Sequence, residues 1–157
     1  MSKILLIGDT HLGLGYPNSV DKWFKVHQEY FQNFLLPLLK KELTKDDIII
    51  HLGDLFDNRS VPINILNYAQ NLLEEMANIC PVHIIIGNHD LYTKATNDIN
   101  TVKLYKYIPN VTVYEEPTKI EFMGKSILML PWVEKRKDQI DILKKFSGCD
   151  YLFCHSD

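Results

Sequence analysis

Apolar and polar positions fall along this chain in blocks, and the period changes from block to block. Lys3–Ile7 is a short aliphatic run ending at Gly8, which reads as a buried strand. From Val20 to Lys41, Trp23, Val26, Phe31, Phe34, Leu35, Leu38 and Leu39 recur at helical spacing with charges between them. Trp23, Phe31 and Phe34 are expected in the core of that helix rather than as a base-stacking platform, and His27 as a surface or structural residue. Pro37 should kink or divide the helix, because it lacks an N–H and crowds the preceding turn. Asp47–Leu52 is a second strand, ending at Gly53. Ser60-Val61-Pro62 opens the next helix, with a capping serine and an early proline, and the helix continues to about Asn78. Val82–Ile86 is a third strand, ending at Gly87. Asn97–Tyr107 is expected to be helical. Val111–Tyr114, Lys119–Met123 and Ser126–Leu130 are strands, the last two joined into a hairpin by a turn at Gly124-Lys125. Asp138–Phe146 is a short helix and Tyr151–Cys154 a final strand. His51 and His83 sit inside strand runs and are expected to be satisfied core histidines.

A β-α-β-α-β opening followed by a hairpin predicts an α/β fold, with mixed sheets packed face to face and flanked by helices. Nothing in the 157 residues reads as an internal repeat or a linker, so one domain is expected. The content of 46% hydrophobic and 24% charged residues excludes a disordered chain. No apolar run reaches the roughly 18 to 20 residues that span a bilayer. The apolar stretch at the N-terminus is too short for a signal peptide. Cys80, Cys149 and Cys154 form no Cys-x-x-Cys pair and read as buried free thiols in a reducing cytosol, hence a cytoplasmic protein. The formal charge of −3 gives no basic signature for binding nucleic acid by charge alone. A site built from carboxylates can nevertheless be acidic, because its metals carry the positive charge.

Four strands each run into residues that ligate metals. Gly8-Asp9-Thr10-His11 follows the first and Gly53-Asp54-Leu55-Phe56-Asp57-Asn58-Arg59 the second. Gly87-Asn88-His89-Asp90 follows the third and His155-Ser156-Asp157 the last. In α/β sheets, sites form beyond the carboxyl ends of the strands, so the four clusters can converge. Carboxylate and imidazole donors together suit borderline divalent metals, and Asp54 has two oxygens with which to bridge a pair of them. Such a pair activates water and offsets charge on a phosphate, while a facing imidazole can donate a proton to the leaving oxygen. Any one cluster alone reads equally as a turn, a helix cap or a polar loop. Asp57 and Arg59 share the loop of Asp54, where they could contact substrate or support the ligands. Lys135-Arg136-Lys137 reads as a solvated loop, with a DNA-backbone contact as the alternative.

With Asp-x-His, Gly-Asp, Gly-Asn-His-Asp and a lone histidine in that order, the sequence resembles the calcineurin-like metallophosphoesterases, whose fold is an α/β/β/α sandwich. The forms Asp-Thr-His-Leu-Gly and Gly-Asp-Leu-Phe-Asp resemble the SbcD-type nuclease subunits of double-strand-break repair complexes. Tyr107–Tyr114 and Leu130-Pro131-Trp132 are similar to the phage recombination endonuclease subunits among these. The resemblance implies that Asp9, His11 and Asp54 hold one metal and that Asp54, Asn88 and His155 hold the second. It assigns His89 as general acid or transition-state donor. It further implies two manganese ions, exonuclease action on duplex DNA ends and endonuclease action on single strands. Expected partners are a second copy of the chain and a coiled-coil ATPase of the SbcC type. The dimer contacts would come from helices matching about Pro62–Asn78 and Asn97–Tyr107. The family's last element, Gly-His-x-His, does not occur in residues 1–157. The chain is therefore expected to be the N-terminal portion of a nuclease domain, lacking two ligands, the capping domain and the ATPase-docking segment. It should fold, but cleave DNA poorly. Two other readings stay open: a phosphodiesterase or phosphatase on a small phosphorylated molecule, and an inactive domain that only binds a partner.

Overall fold

A computed structural model describes residues 2–93 and 96–156; Asp157, the end of the fourth cluster, lies outside them. The chain runs β1 (Ile4–Ile7), α1 (Val20–Tyr30), α2 (Leu36–Glu42), β2 (Ile48–His51), α3 (Ile63–Ala77) and β3 (Val82–Ile85). It continues through β4 (Leu91–Thr93), β5 (Thr96–Asn100), β6 (Val111–Tyr114), β7 (Thr118–Phe122), β8 (Lys125–Leu130), α4 (Arg136–Lys145) and β9 (Tyr151–Cys154). β1, β2, β3 and β6 pair in that order, all parallel. A second sheet has β7 antiparallel to β8 and β8 parallel to β9, and β4 with β5 forms a small hairpin.

The two faces of the parallel sheet are buried against different layers. Ile49, Val82, Ile84 and Val111 pack under the helices, against Leu36, Leu39, Ile65, Leu72 and Leu73. Ile48, Ile50, Ile85 and Tyr114 face the other way and pack on Ile127 and Met129 of β8. A central strand covered on both faces must be apolar at every position, which is why β2 is a continuous Ile-Ile-Ile run. The expected face-to-face sandwich is therefore present, with helices covering one sheet.

The sequence expectations fail where tertiary pairing overrides periodicity. β1 is an edge strand and not a buried one, so Leu6 is 47% exposed. Phe31 is buried as expected, but Trp23 and Phe34 are 41% and 57% exposed, because the helix offers the sheet only its Phe24–Phe31–Leu35 side. The helical run is divided just ahead of Pro37, as expected. Phe31–Leu35 forms a π-helical turn in which Leu36 N–H donates to Phe31 O, and Pro37 enters at the first turn of α2, where its missing N–H costs little. Ser60 does not cap α3; the cap position is Pro62, with no side-chain bond. Asn97–Asn100 is strand, and only Val102–Tyr107 is helical, as a 3-10 turn. Asn97 Nδ2 donates to the carbonyls of Glu115 and Trp132, and Asn100 Oδ1 accepts Lys103 N–H at 2.7 Å. These side-chain bonds compete with a helical backbone. The β7–β8 turn is Met123-Gly124, both at positive φ (55° and 72°), one residue earlier than expected. Among the described residues the cysteines are free, with Cys80 buried and the other two half-buried, and no helix is long and apolar enough to cross a membrane.

Candidate metal centre

β1, β2 and β3 are parallel neighbours, so the loops that leave them emerge at one end of the sheet. β9 reaches the same end from the second sheet, where Trp132 N–H donates to Ile86 O and His155 N–H to Leu130 O. Four loops distant in sequence thus meet: Asp9–His11, Gly53–Asp57, Gly87–Asp90 and His155. The first two are zipped together by Asp9 N–H to Gly53 O, His11 N–H to Asp54 O and Leu12 N–H to Leu55 O, at 3.2, 3.1 and 2.8 Å. Asp9, His11 and Asp54 all adopt left-handed backbone, with φ of 53°, 44° and 52°. Such a conformation costs of order 1–3 kcal/mol per non-glycine residue and persists only where neighbours enforce it. Gly53 and Gly87 let the second and third loops touch. A Cβ on Gly87 would collide with Asp54 Oδ1 and N, and one on Gly53 would lie 2.7 Å from His155 Nδ1.

Asp54 is the buried centre of the cluster. Its Oδ1 accepts His89 N–H at 2.9 Å. Its Oδ2 lies 3.9 Å from His11 Nε2 and 3.4 Å from His155 Nε2. Asp9 Oδ1 is 3.9 Å from the same His11 nitrogen. His155 Nδ1 bonds Leu52 O at 2.8 Å, and its Nε2 faces Asn88 Oδ1 at 2.9 Å. Donor atoms of Asp9, His11 and Asp54 lie within 4.8 Å of one another, as do those of His11, Asp57 and His89. The two groups share His11 through opposite ring nitrogens. A neutral imidazole has only one lone pair, so Nε2 can ligate while Nδ1–H points at Asp57 Oδ1, 3.5 Å away. His89 Nδ1 bonds the Asp57 carbonyl at 2.6 Å, leaving its Nε2 for the solvent side. Asp57, Asn58, Arg59, Ser60, Asn88 and His89 line an open cleft of about 520 Å³ there.

Burial pushes the Asp54 carboxyl upward, but hydrogen bonds from His155 and from His89 N–H outweigh it and hold the group below its ordinary value. His155 is the counterpart: burial pulls it down, and Asp54 and the Leu52 carbonyl bring it above its ordinary value. Asp90 is fully buried and accepts from Gly87 N–H and Phe56 N–H at 3.0 and 3.1 Å, clamping the second loop to the third. Burial still lifts its carboxyl to about 6. Burial takes His51 down to about 4, so it is neutral at neutral pH.

The structure brings Asp9, His11, Asp54, Asn88, His89 and His155 together and places Asp57 beside them, with Arg59 exposed on the cleft wall. Lys135-Arg136-Lys137 is exposed but is not the expected loop: Lys135 is the cap position of α4, and Arg136 and Lys137 begin its first turn. His27 is half-buried on the groove floor beside Asp9 and Thr10. His83 bonds Tyr114 Oη at 2.7 Å, a satisfied core histidine as expected. The supporting roles of Thr10 and Asp90 were not legible: both sit inside the motifs, but nothing in their spacing says that they tie one loop to another.

A model of the calcineurin-like phosphoesterase family matches residues 2–157. Exonuclease subunit 1 of enterobacteria phage T4 is 33% identical over an alignment covering 97% of this chain and 44% of that protein. The DNA double-strand break repair protein Mre11 of Methanocaldococcus jannaschii is 26% identical over 90% of this chain and 38% of its own length. The chain thus spans less than half the length of either relative. Among solved structures, a protein of unknown function from Aquifex aeolicus shares the fold, with a TM-score of 0.54 at 23% identity, covering 98% of this chain and 80% of that one.

Proposed function

Because this chain belongs to the calcineurin-like phosphoesterase family, we propose that it carries the metal centre of a DNA nuclease subunit acting in recombination and double-strand-break repair. The observation that carries this reading is the convergence of Asp9, His11, Asp54, Asn88 and His155 from four strand ends, with His11 and His155 both facing one oxygen of buried Asp54. The donor set fits two divalent cations. Donors sharing an ion at about 2.0–2.2 Å lie at most about 4.4 Å apart. The pairs Asp9–His11, His11–Asp54, Asp54–His155 and Asn88–His155 span 2.9 to 3.9 Å. With His155 Nδ1–H donating to Leu52, two acceptors, Nε2 and Asn88 Oδ1, face each other at 2.9 Å, a pairing that needs a proton or a cation between them. Asp54 is common to both sets, so its carboxylate would help to hold both cations. Bound there, divalent cations, manganese in our reading, would supply Lewis-acid polarisation of a phosphodiester and activation of water.

The chain's own groups do the rest. The Asp57 carbonyl holds His89 Nδ1–H, so His89 Nε2 is the atom that can hold or deliver a proton at the leaving oxygen. Arg59 on the cleft wall offers a planar fork to a phosphate, and the Asp57 carboxylate lies 3.5 Å from His11 Nδ1. DNA as substrate rests on the relatives, one named as an exonuclease subunit and one as a DNA double-strand break repair protein. The first of these names supports action as a subunit, for which we propose a coiled-coil ATPase partner of the SbcC type and a second copy of this chain. The test is a manganese-dependent assay on linear duplex DNA, single-stranded DNA and a bis-aryl phosphodiester. Weak DNA cleavage that Asp54→Ala abolishes is expected. Turnover of the small diester alone would favour a small-molecule phosphodiesterase, and turnover of none would leave a partner-binding domain.

A further inference from the structure

His51 ends β2, and its two ring nitrogens reach two different loops. Gly53 N–H donates to His51 Nδ1 at 3.3 Å. That bond makes Nδ1 the lone-pair nitrogen of a neutral ring, so Nε2 carries the hydrogen. Nε2 lies 3.1 Å from Thr10 Oγ1, and the Thr10 hydroxyl donates in turn to Leu55 O at 3.1 Å. The donors and acceptors therefore run one way, from Gly53 N–H through His51 and Thr10 to the Leu55 carbonyl, with each group used once in the direction its chemistry allows.

This chain of bonds links two turns that hold left-handed backbone. Thr10 sits between Asp9 and His11, both left-handed, and Gly53 (φ 96°) begins the left-handed pair completed by Asp54. We infer that His51 and Thr10 are a positioning pair, which locks the Asp9–His11 turn against the Gly53–Asp54 turn and so sets the aim of three donors toward one cation. The pair is more than a filled core position. An apolar residue at 51 would leave Gly53 N–H without an acceptor and free the Thr10 hydroxyl to rotate, and both turns would lose a restraint on the same side. The bonds inside the pair stand independently of any metal, whereas its consequence for affinity rests on the metal centre proposed above.

Three substitutions isolate the bond. Thr10→Val removes the hydroxyl and keeps the shape, whereas Thr10→Ser keeps the hydroxyl. His51→Asn is short, so it can still accept from Gly53 N–H but does not reach Thr10. Manganese titration of the full 157-residue chain by calorimetry should show Thr10→Val and His51→Asn each about tenfold weaker, the usual cost of losing a support behind a metal ligand. The double variant should be no weaker than either single one, because both remove the same bond. Thr10→Ser should bind like the parent. Unchanged affinity in Thr10→Val, with only a lower melting temperature, would reduce the pair to a structural contact and overturn the inference, as would additive losses. If the parent takes up no manganese, the metal reading fails and the positioning pair is judged without metal. The 15N shifts of the imidazole should then report the Nε2–H tautomer for His51, and Thr10→Val should speed amide exchange at Asp9 and His11. An Nδ1–H tautomer, or unchanged exchange, would refute it.

Discussion

Asp54 shows what the site demands of a single residue: a left-handed backbone, near-complete burial, one oxygen fixed by His89 N–H and the other facing two histidines. Asp9 meets only the first of these demands, and its side chain is 65% exposed. Their substitutions should therefore differ in kind. In manganese calorimetry, Asp54→Ala is expected to abolish both binding events and Asp9→Ala to weaken chiefly one. Equal behaviour of the two variants would contradict a shared carboxylate. His89 presents the opposite case, a side chain beside the donors whose Nδ1 is already taken by the Asp57 carbonyl. In an intact protein, His89→Ala should keep manganese affinity and lose on the order of a hundredfold in cleavage rate. Loss of metal along with rate would make it a ligand. The donors themselves were legible in the sequence, because each follows a strand-ending apolar run and each is a residue type that metals select. What supports them was not. His51 reads as a core histidine, which it is, and only three dimensions reveal that its second nitrogen reaches Thr10.

At the scale of elements, the strands of the parallel sheet were legible because burial on both faces leaves little choice but aliphatic residues. The helices were less so. Trp23 and Phe34 satisfy helical periodicity as well as Phe31 does, but periodicity cannot say how wide an arc the sheet covers. Residues 97–100 fail for another reason, since their amides find partners at Glu115 and Trp132, far along the chain. The β8–β9 connection offers a test of a single link. Asp150 takes the Lys125 ammonium at 2.9 Å and both the N–H and hydroxyl of Ser126, at 2.8 and 3.0 Å. These partners, Lys125 foremost, hold its carboxyl at about 2, below the ordinary 3.8. A carboxyl depressed in the folded state stabilises above its unfolded value and loses that contribution as pH falls through the folded one. Asp150→Asn should therefore lower the melting temperature at pH 6, and the gap to the parent should close between about pH 4 and pH 2. A gap that stayed constant over that range would assign the effect to shape rather than charge.

An apolar region of the molecule lies exposed on the side where α3 meets the 3-10 turn. Ile63, Leu104 and Tyr107 are 76%, 61% and 81% exposed, and they rim a groove that also contains Leu66 and Pro109. The family resemblance implied these two segments for a dimer, although the second was expected as a longer helix than the six-residue turn observed. Exposed apolar groups gathered in one patch are characteristic of association surfaces, whereas scattered ones are not. A two-fold dimer needs one self-complementary patch, and this one combines protruding side chains with a recess to receive them. The net charge of −3 is too small to keep two copies apart at ordinary ionic strength. We expect the chain to dimerise through this face and Leu104→Asp or Tyr107→Asp to shift it to monomer in sedimentation equilibrium. Because both side chains are already in solvent, each substitution should change the stability of the monomer by no more than about 0.5 kcal/mol. A parent that sediments as a monomer at tens of micromolar, or aspartate variants that stay dimeric, would move the interface elsewhere. The donors of the candidate centre all come from one chain, so the monomeric variants should bind manganese like the parent. That separates assembly from the chemistry of the site.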